Sequence, residues 1–208
     1  QCLEKLFFGV TGLVVTACDP VHDQYLIWDR MLKLNYPCLY VENKTLYAQK
    51  IKPVIQNKIE GFFVKSSESY FPTISLKITP FSTGEELLIF TYGGMTTMAM
   101  EIARKLYIEE EIVAKVIIPS QISPLPEDDL LRSVNSCQNM IVLEEGTQRN
   151  GWWTGIAALF CEKISENINF HHCSTKDTII PNSKNGEDFV LPNEDSCLVI
   201  IEEILDVI

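Results

Sequence analysis

The chain has 208 residues, 46% hydrophobic and 22% charged, enough apolar material for one large or two modest globular domains. Its 17 basic and 28 acidic residues leave a formal net charge of −11, which opposes a phosphate backbone or an anionic membrane surface and removes nucleic acid and membrane from the expected partners. Seven cysteines, at 2, 18, 38, 137, 161, 173 and 197, form no CxxC pair and leave an odd number, so reduced, buried thiols are expected rather than a disulfide framework or a zinc site.

The opening QCLEKLFFGVTG lacks an initiator Met, a basic start and a signal-like apolar core. It reads as a chain entered midway, with no targeting segment and a cytoplasmic, bacterial setting. Leu13 to Ala17 then form a short β-branched run ahead of Asp19-Pro20, a cap and first-turn pair. This predicts a strand followed by a helix with Tyr25, Trp28 and Leu32 on one stripe, ending before Asn35-Tyr36-Pro37. Cys38 to Glu42 read as a second strand, closing one βαβ unit. Residues 44 to 60 read as a connection, and Phe62 to Val64 with Ile74 to Ile78 as a hairpin.

From Gly84 the alternation is regular. Leu87 to Tyr92 is an apolar run of strand length left through Gly93-Gly94, and Met95, Ala99, Ile102, Ala103 and Leu106 share one helical face. Val113 to Ile118, Met140 to Leu143 and Ile168 to Cys173 are the next strands. Helices bearing Leu130 and Leu131, then Ile156, Leu159 and Phe160, separate them. A polar loop from Ser174 to Pro192 precedes a last helix with Val199, Ile200 and Leu205. Strands alternating with helices predict an α/β fold, a mostly parallel sheet with helices on both faces.

Candidate chemistry is sparse. Gly93-Gly94 sits between strand and helix, but the chain has neither GxGxxG nor GxxxxGK[ST], so a tight turn is the preferred reading. His171 and His172 should face opposite sides of a strand, and His22 shows no nucleophile partner. Glu144-Glu145 ends a strand at the edge where ligands gather in open α/β sheets. Two adjacent aromatics after Gly151 cannot easily both point inward, so Trp152 and Trp153 are expected at an interface, together with Glu144 and Glu145.

The order of these features resembles the β subunit of the thiamine diphosphate-dependent 2-oxo acid dehydrogenases. The resemblance runs from the middle of the pyrimidine-binding domain to the C-terminus. It is carried by Gln1 to Glu4 with Gly12 to Val15, Asp19-Pro20, Pro37 to Lys44 and Leu46-Tyr47, then by Gly84 to Gly93 and Ile117-Ile118 with Pro124-Leu125. Glu144-Glu145 with Gly151-Trp152, and Asp177 with Pro181 and Leu191-Pro192, complete it.

The resemblance implies a remnant of the pyrimidine domain over 1–57, a linker over 58–81 and a transketolase-like C-terminal domain over 82–208. It also implies that the whole enzyme decarboxylates a 2-oxo acid of pyruvate or branched-chain type and passes the acyl group to lipoyl. The family's catalytic glutamate and histidine would precede Gln1, leaving no catalytic, cofactor or metal residue in this chain. Thiamine diphosphate and magnesium would belong to the full enzyme. The implied partners are an α-type region or subunit, a second β copy and the lipoyl acyltransferase core, the last met by Glu202, Glu203 and Asp206.

This sequence departs from the family's pattern at Leu34 and Tyr36 in a cation loop, at Ser120-Gln121 where Arg-Thr is common, and in a long aromatic segment from Ile51 to Ser82. The alternatives are a transketolase or deoxyxylulose-phosphate synthase of the same fold, or a non-catalytic α/β interaction module.

Overall fold

The apolar runs become strands of two sheets in a computed structural model of the protein, described here for residues 2–49, 54, 56–134 and 136–205. A three-stranded sheet has the order β2-β1-β8, with β1 (Val14–Ala17) parallel to β2 (Cys38–Val41) and antiparallel to β8 (Gln121–Ser123). Helix α1 (Gln24–Lys33) makes the crossover between β1 and β2. It is capped by Asp23, whose side chain accepts from the amides of Tyr25 and Leu26, and not by Asp19 as expected. Ile27 and Met31 are its buried residues, whereas the predicted stripe of Tyr25, Trp28 and Leu32 is exposed.

The larger sheet runs β10-β9-β6-β7-β5-β4-β3. Its parallel half consists of β6 (Leu87–Thr91), β7 (Ala114–Pro119), β9 (Asn139–Thr147) and β10 (Asn169–Thr175). Every residue of β6 and β7 is buried because helices cover both faces of the sheet. Leu87 and Ile89 pack with α2 (Met95–Glu110) and α6 (Glu194–Leu205). Leu88 and Phe90 pack on the other side with α3 (Glu127–Ser133) and α4 (Trp152–Lys163). This second core also takes in Val15 and Ala17, so it joins the two sheets.

The stretch read as a linker, 58–81, supplies β3 (Lys58–Ile59), β4 (Phe62–Ser66) and β5 (Thr73–Lys77). The predicted hairpin is β4 with β5, and β5 is hydrogen-bonded antiparallel to β7, so this segment extends the larger sheet. The predicted polar loop likewise contains a short helix, α5 (Lys184–Val190), capped by Ser183. No helix among the described residues is long and apolar enough to cross a membrane.

Candidate functional site: a carboxylate-lined cleft at the strand ends

Parallel strands gather backbone at their C-terminal ends, and both sheets direct those ends to one place. A cleft of about 440 Å³ opens there, lined by Ala17-Cys18 after β1, Val41 to Lys44 after β2, Tyr92 to Met95 after β6 and Glu145 of β9. Cys2 and Glu4, the latter in a 3-10 turn over Glu4–Phe7, close it from the N-terminal segment. Gly93 has φ of 60°, and a side chain at Gly94 would collide with the amide of Asn43. The two glycines therefore serve a tight turn and a close approach between the sheets.

Three carboxylates dominate the walls. Glu4 is buried and accepts a hydrogen bond from the Tyr92 hydroxyl at 2.7 Å. Glu145 is half-buried and burial pushes its carboxyl up, while Glu42 is exposed at the rim beside Lys44. Burial also raises the Cys2 and Cys18 thiols, with Glu4 and Glu145 adding to the effect at Cys2, so both are poor nucleophiles as they stand. A diphosphate brought here would meet Glu4, Glu42 and Glu145 against Lys44 alone. Among the described residues no group of three His, Cys, Asp or Glu side chains gathers to hold a metal ion. The cleft does not fit a diphosphate-magnesium pair, and no chemical step is derived through one.

The expected interface residues separate into different roles. Trp152 is 2% exposed, with its ring edge-on to Tyr92 and its indole N–H on the Ile122 carbonyl at 3.1 Å, so it is core and not interface. Trp153 is half-buried and lies flat on His172 with ring centres 4.0 Å apart. Both can be accommodated because Trp152 turns under the helix toward β8 while Trp153 lies along β10. Glu144, also expected at an interface, is 1% exposed. It caps α4, accepting the Trp152 amide at 3.0 Å and the Trp153 amide at 2.9 Å. Glu145 lines the cleft, and Glu202 and Glu203 are exposed on α6; Asp206 lies outside the described residues.

His171 and His172 are each half-buried and bond to Asn169 and Ser174 respectively. Burial lowers the His172 imidazole, with His171 adding to it. His22 does have a partner. Its Nδ1 lies 2.6 Å from Asp19 Oδ2 and its Nε2 3.0 Å from the Pro72 carbonyl, both inside the protein, which clamps the turn after β1 to the start of β5. The i,i+3 spacing of Asp19 and His22 was a usable local signal. Nothing in the sequence announces Glu4 with Tyr92, which are 88 residues apart.

The matching family is described as transketolase, C-terminal domain, over residues 77–197, and the chain belongs to that family. It is 26% identical over 207 residues to the acetoin:2,6-dichlorophenolindophenol oxidoreductase subunit beta of Bacillus subtilis (strain 168), covering 99% of this chain and 56% of that protein. It is 22% identical over 207 residues to the pyruvate dehydrogenase E1 component subunit beta of Cyanidium caldarium, covering 99% and 59%. A solved chain described as a split gene transketolase, inactive beta4 tetramer, superposes with a TM-score of 0.67 at 15% identity, over 100% of this chain and 62% of that one. The chain thus spans somewhat over half the length of the curated relatives it matches.

Proposed function

We propose that this chain is the C-terminal part of the β-type portion of a thiamine diphosphate-dependent 2-oxo acid dehydrogenase component, of pyruvate or branched-chain type. The supporting observation is the end-to-end similarity to two oxidoreductase β subunits, which covers 99% of the chain and includes the three-stranded sheet outside the matched domain. On this reading that sheet, within residues 1–57, is the remnant of a pyrimidine-binding domain. The bound cofactor of the whole enzyme supplies the electron sink for cleavage next to a carbonyl, and this chain supplies no group to that step.

Its own contribution is assembly. Trp153 and Glu145 reach the surface beside the cleft and would meet an α-type region or a second β copy. Glu202 and Glu203 on α6, with Asp206, would meet the lipoyl acyltransferase core through charge. Acetoin is a second substrate reading, carried by the Bacillus subtilis relative. A cytoplasmic location follows from the same reading.

The test is to express the full-length protein with its α-type partner and thiamine diphosphate, and to assay reduction of a dye acceptor by pyruvate, branched-chain 2-oxo acids and acetoin. Turnover of one of these is expected from the complex and none from the chain alone. A complex that turns over none of them but uses a sugar phosphate would place the protein with the transketolases proper.

A further inference from the structure

A sheet face covered by a helix is ordinarily apolar, yet the face of β4, β5 and β7 under α3 is not. The registers Lys65↔Ser75, Lys77↔Lys115 and Thr73↔Pro119 put Lys65, Thr73, Ser75, Lys77 and Lys115 on that face. The intervening Ile74 and Leu76 enter the core on the opposite side. Lys77 and Lys115 are directly opposed, an arrangement like charges disfavour. The Glu85 carboxylate lies between them, with Oε2 3.0 Å from the Lys77 ammonium and Oε1 bonded to that of Lys115. One carboxylate therefore serves two buried ammonium groups.

Lys115 also lines a cavity of about 190 Å³ together with Lys65, Thr73, Ser75, Asp129 and Arg132. Asp129 is committed to the hydroxyls of Ser67 and Ser69, at 2.6 and 2.7 Å, and to Arg132. Four cations, Lys65, Lys77, Lys115 and Arg132, thus meet two carboxylates here, in a chain whose net charge is −11. The Thr73 hydroxyl is buried and makes no hydrogen bond, and a buried hydroxyl without a partner costs free energy until a ligand satisfies it. The cavity shares no lining residue with the carboxylate cleft.

We propose that this cavity binds a phosphate group, as inorganic phosphate or as the monoester of a small metabolite. Lys115 from the floor, Lys65 from the wall and Arg132 from the rim direct charge at it, and the Thr73 and Ser75 hydroxyls donate to it. A tetrahedral oxyanion presents acceptor oxygens to all three directions at once, which a planar carboxylate does not.

The experiment is calorimetric titration of the full-length protein with inorganic phosphate and with glycerol 3-phosphate, ionic strength being held constant with sodium chloride. Saturable one-to-one binding of at least one is expected, weakened at least tenfold in the Lys65→Ala/Arg132→Ala variant, whose side chains are at the surface. Thr73→Val, close in shape, should weaken it several-fold while leaving the melting temperature unchanged or raised. The better-bound titrant identifies the source of the phosphate group. Absence of saturable heat with both, or unchanged affinity in the double variant, overturns the proposal.

Discussion

Glu144 reaches forward from the end of β9 to hold the first turn of α4, its Oε2 lying 3.0 Å from the Trp152 amide. Two glycines leave room for it. A Cβ at Gly151 would lie 2.5 Å from Glu144 Oε1 and 2.9 Å from the Thr147 carbonyl, and one at Gly146 would collide with Oε2. Gly151→Ala and Gly146→Ala should each destabilise the protein by about 1–3 kcal/mol through this crowding. Urea unfolding measures it, and alanine variants as stable as the parent would show that the carboxylate is not held there.

The same carboxyl makes stability depend on pH. Burial pushes it up to about 7 from an ordinary 4.5, against the pull of the Trp153 and Trp152 amides. The folded protein therefore holds this proton more tightly than the unfolded chain does. The contribution is full below about 4.5 and is lost as pH rises through about 7, a swing on the order of 3 kcal/mol. Glu144→Gln should flatten the unfolding free energy between those limits. A parallel slope in parent and variant counts against this assignment.

Glu85 has the opposite sign. Burial acts to raise its carboxyl, but the hydrogen-bonded ammonium groups of Lys115 and Lys77 outweigh it and the net shift is downward. Its stabilisation is present above the ordinary carboxylate range and is lost as pH falls through the lowered value. Glu85→Gln leaves two ammonium groups facing each other and should cost about 3–5 kcal/mol at neutral pH. Lys77→Met keeps one buried pair and should cost less; the reverse ranking in chemical denaturation would refute the shared-carboxylate account.

The tryptophans should differ sharply. Trp152→Ala empties a site between the two sheets and should cost about 3–5 kcal/mol. Trp153→Ala removes a half-exposed ring and its stack on His172, worth about 1 kcal/mol. Thermal and chemical unfolding of the two variants tests the difference, and equal losses would contradict their separate roles.

Much of this was legible from periodicity. The continuous runs at Leu87–Thr91 and Ala114–Pro119 announced strands covered on both faces, and the Met95 to Leu106 stripe announced α2. The segment from 58 to 81 was misread as a linker because its lysines and serines resemble a solvated surface. On β5 they alternate with Ile74 and Leu76, and only pairing with β7 shows that Lys77 and Lys115 lie inside.

The sequence by itself determined the strand and helix order, the acidic balance and the family resemblance, because these depend on neighbours in the chain. Tertiary structure alone decided that Trp152 is core, that Glu144 is a helix cap and that Glu4 meets Tyr92. Each depends on groups brought together by sheet pairing, and a side chain's role follows from which surface closes over it. No local pattern records that closure.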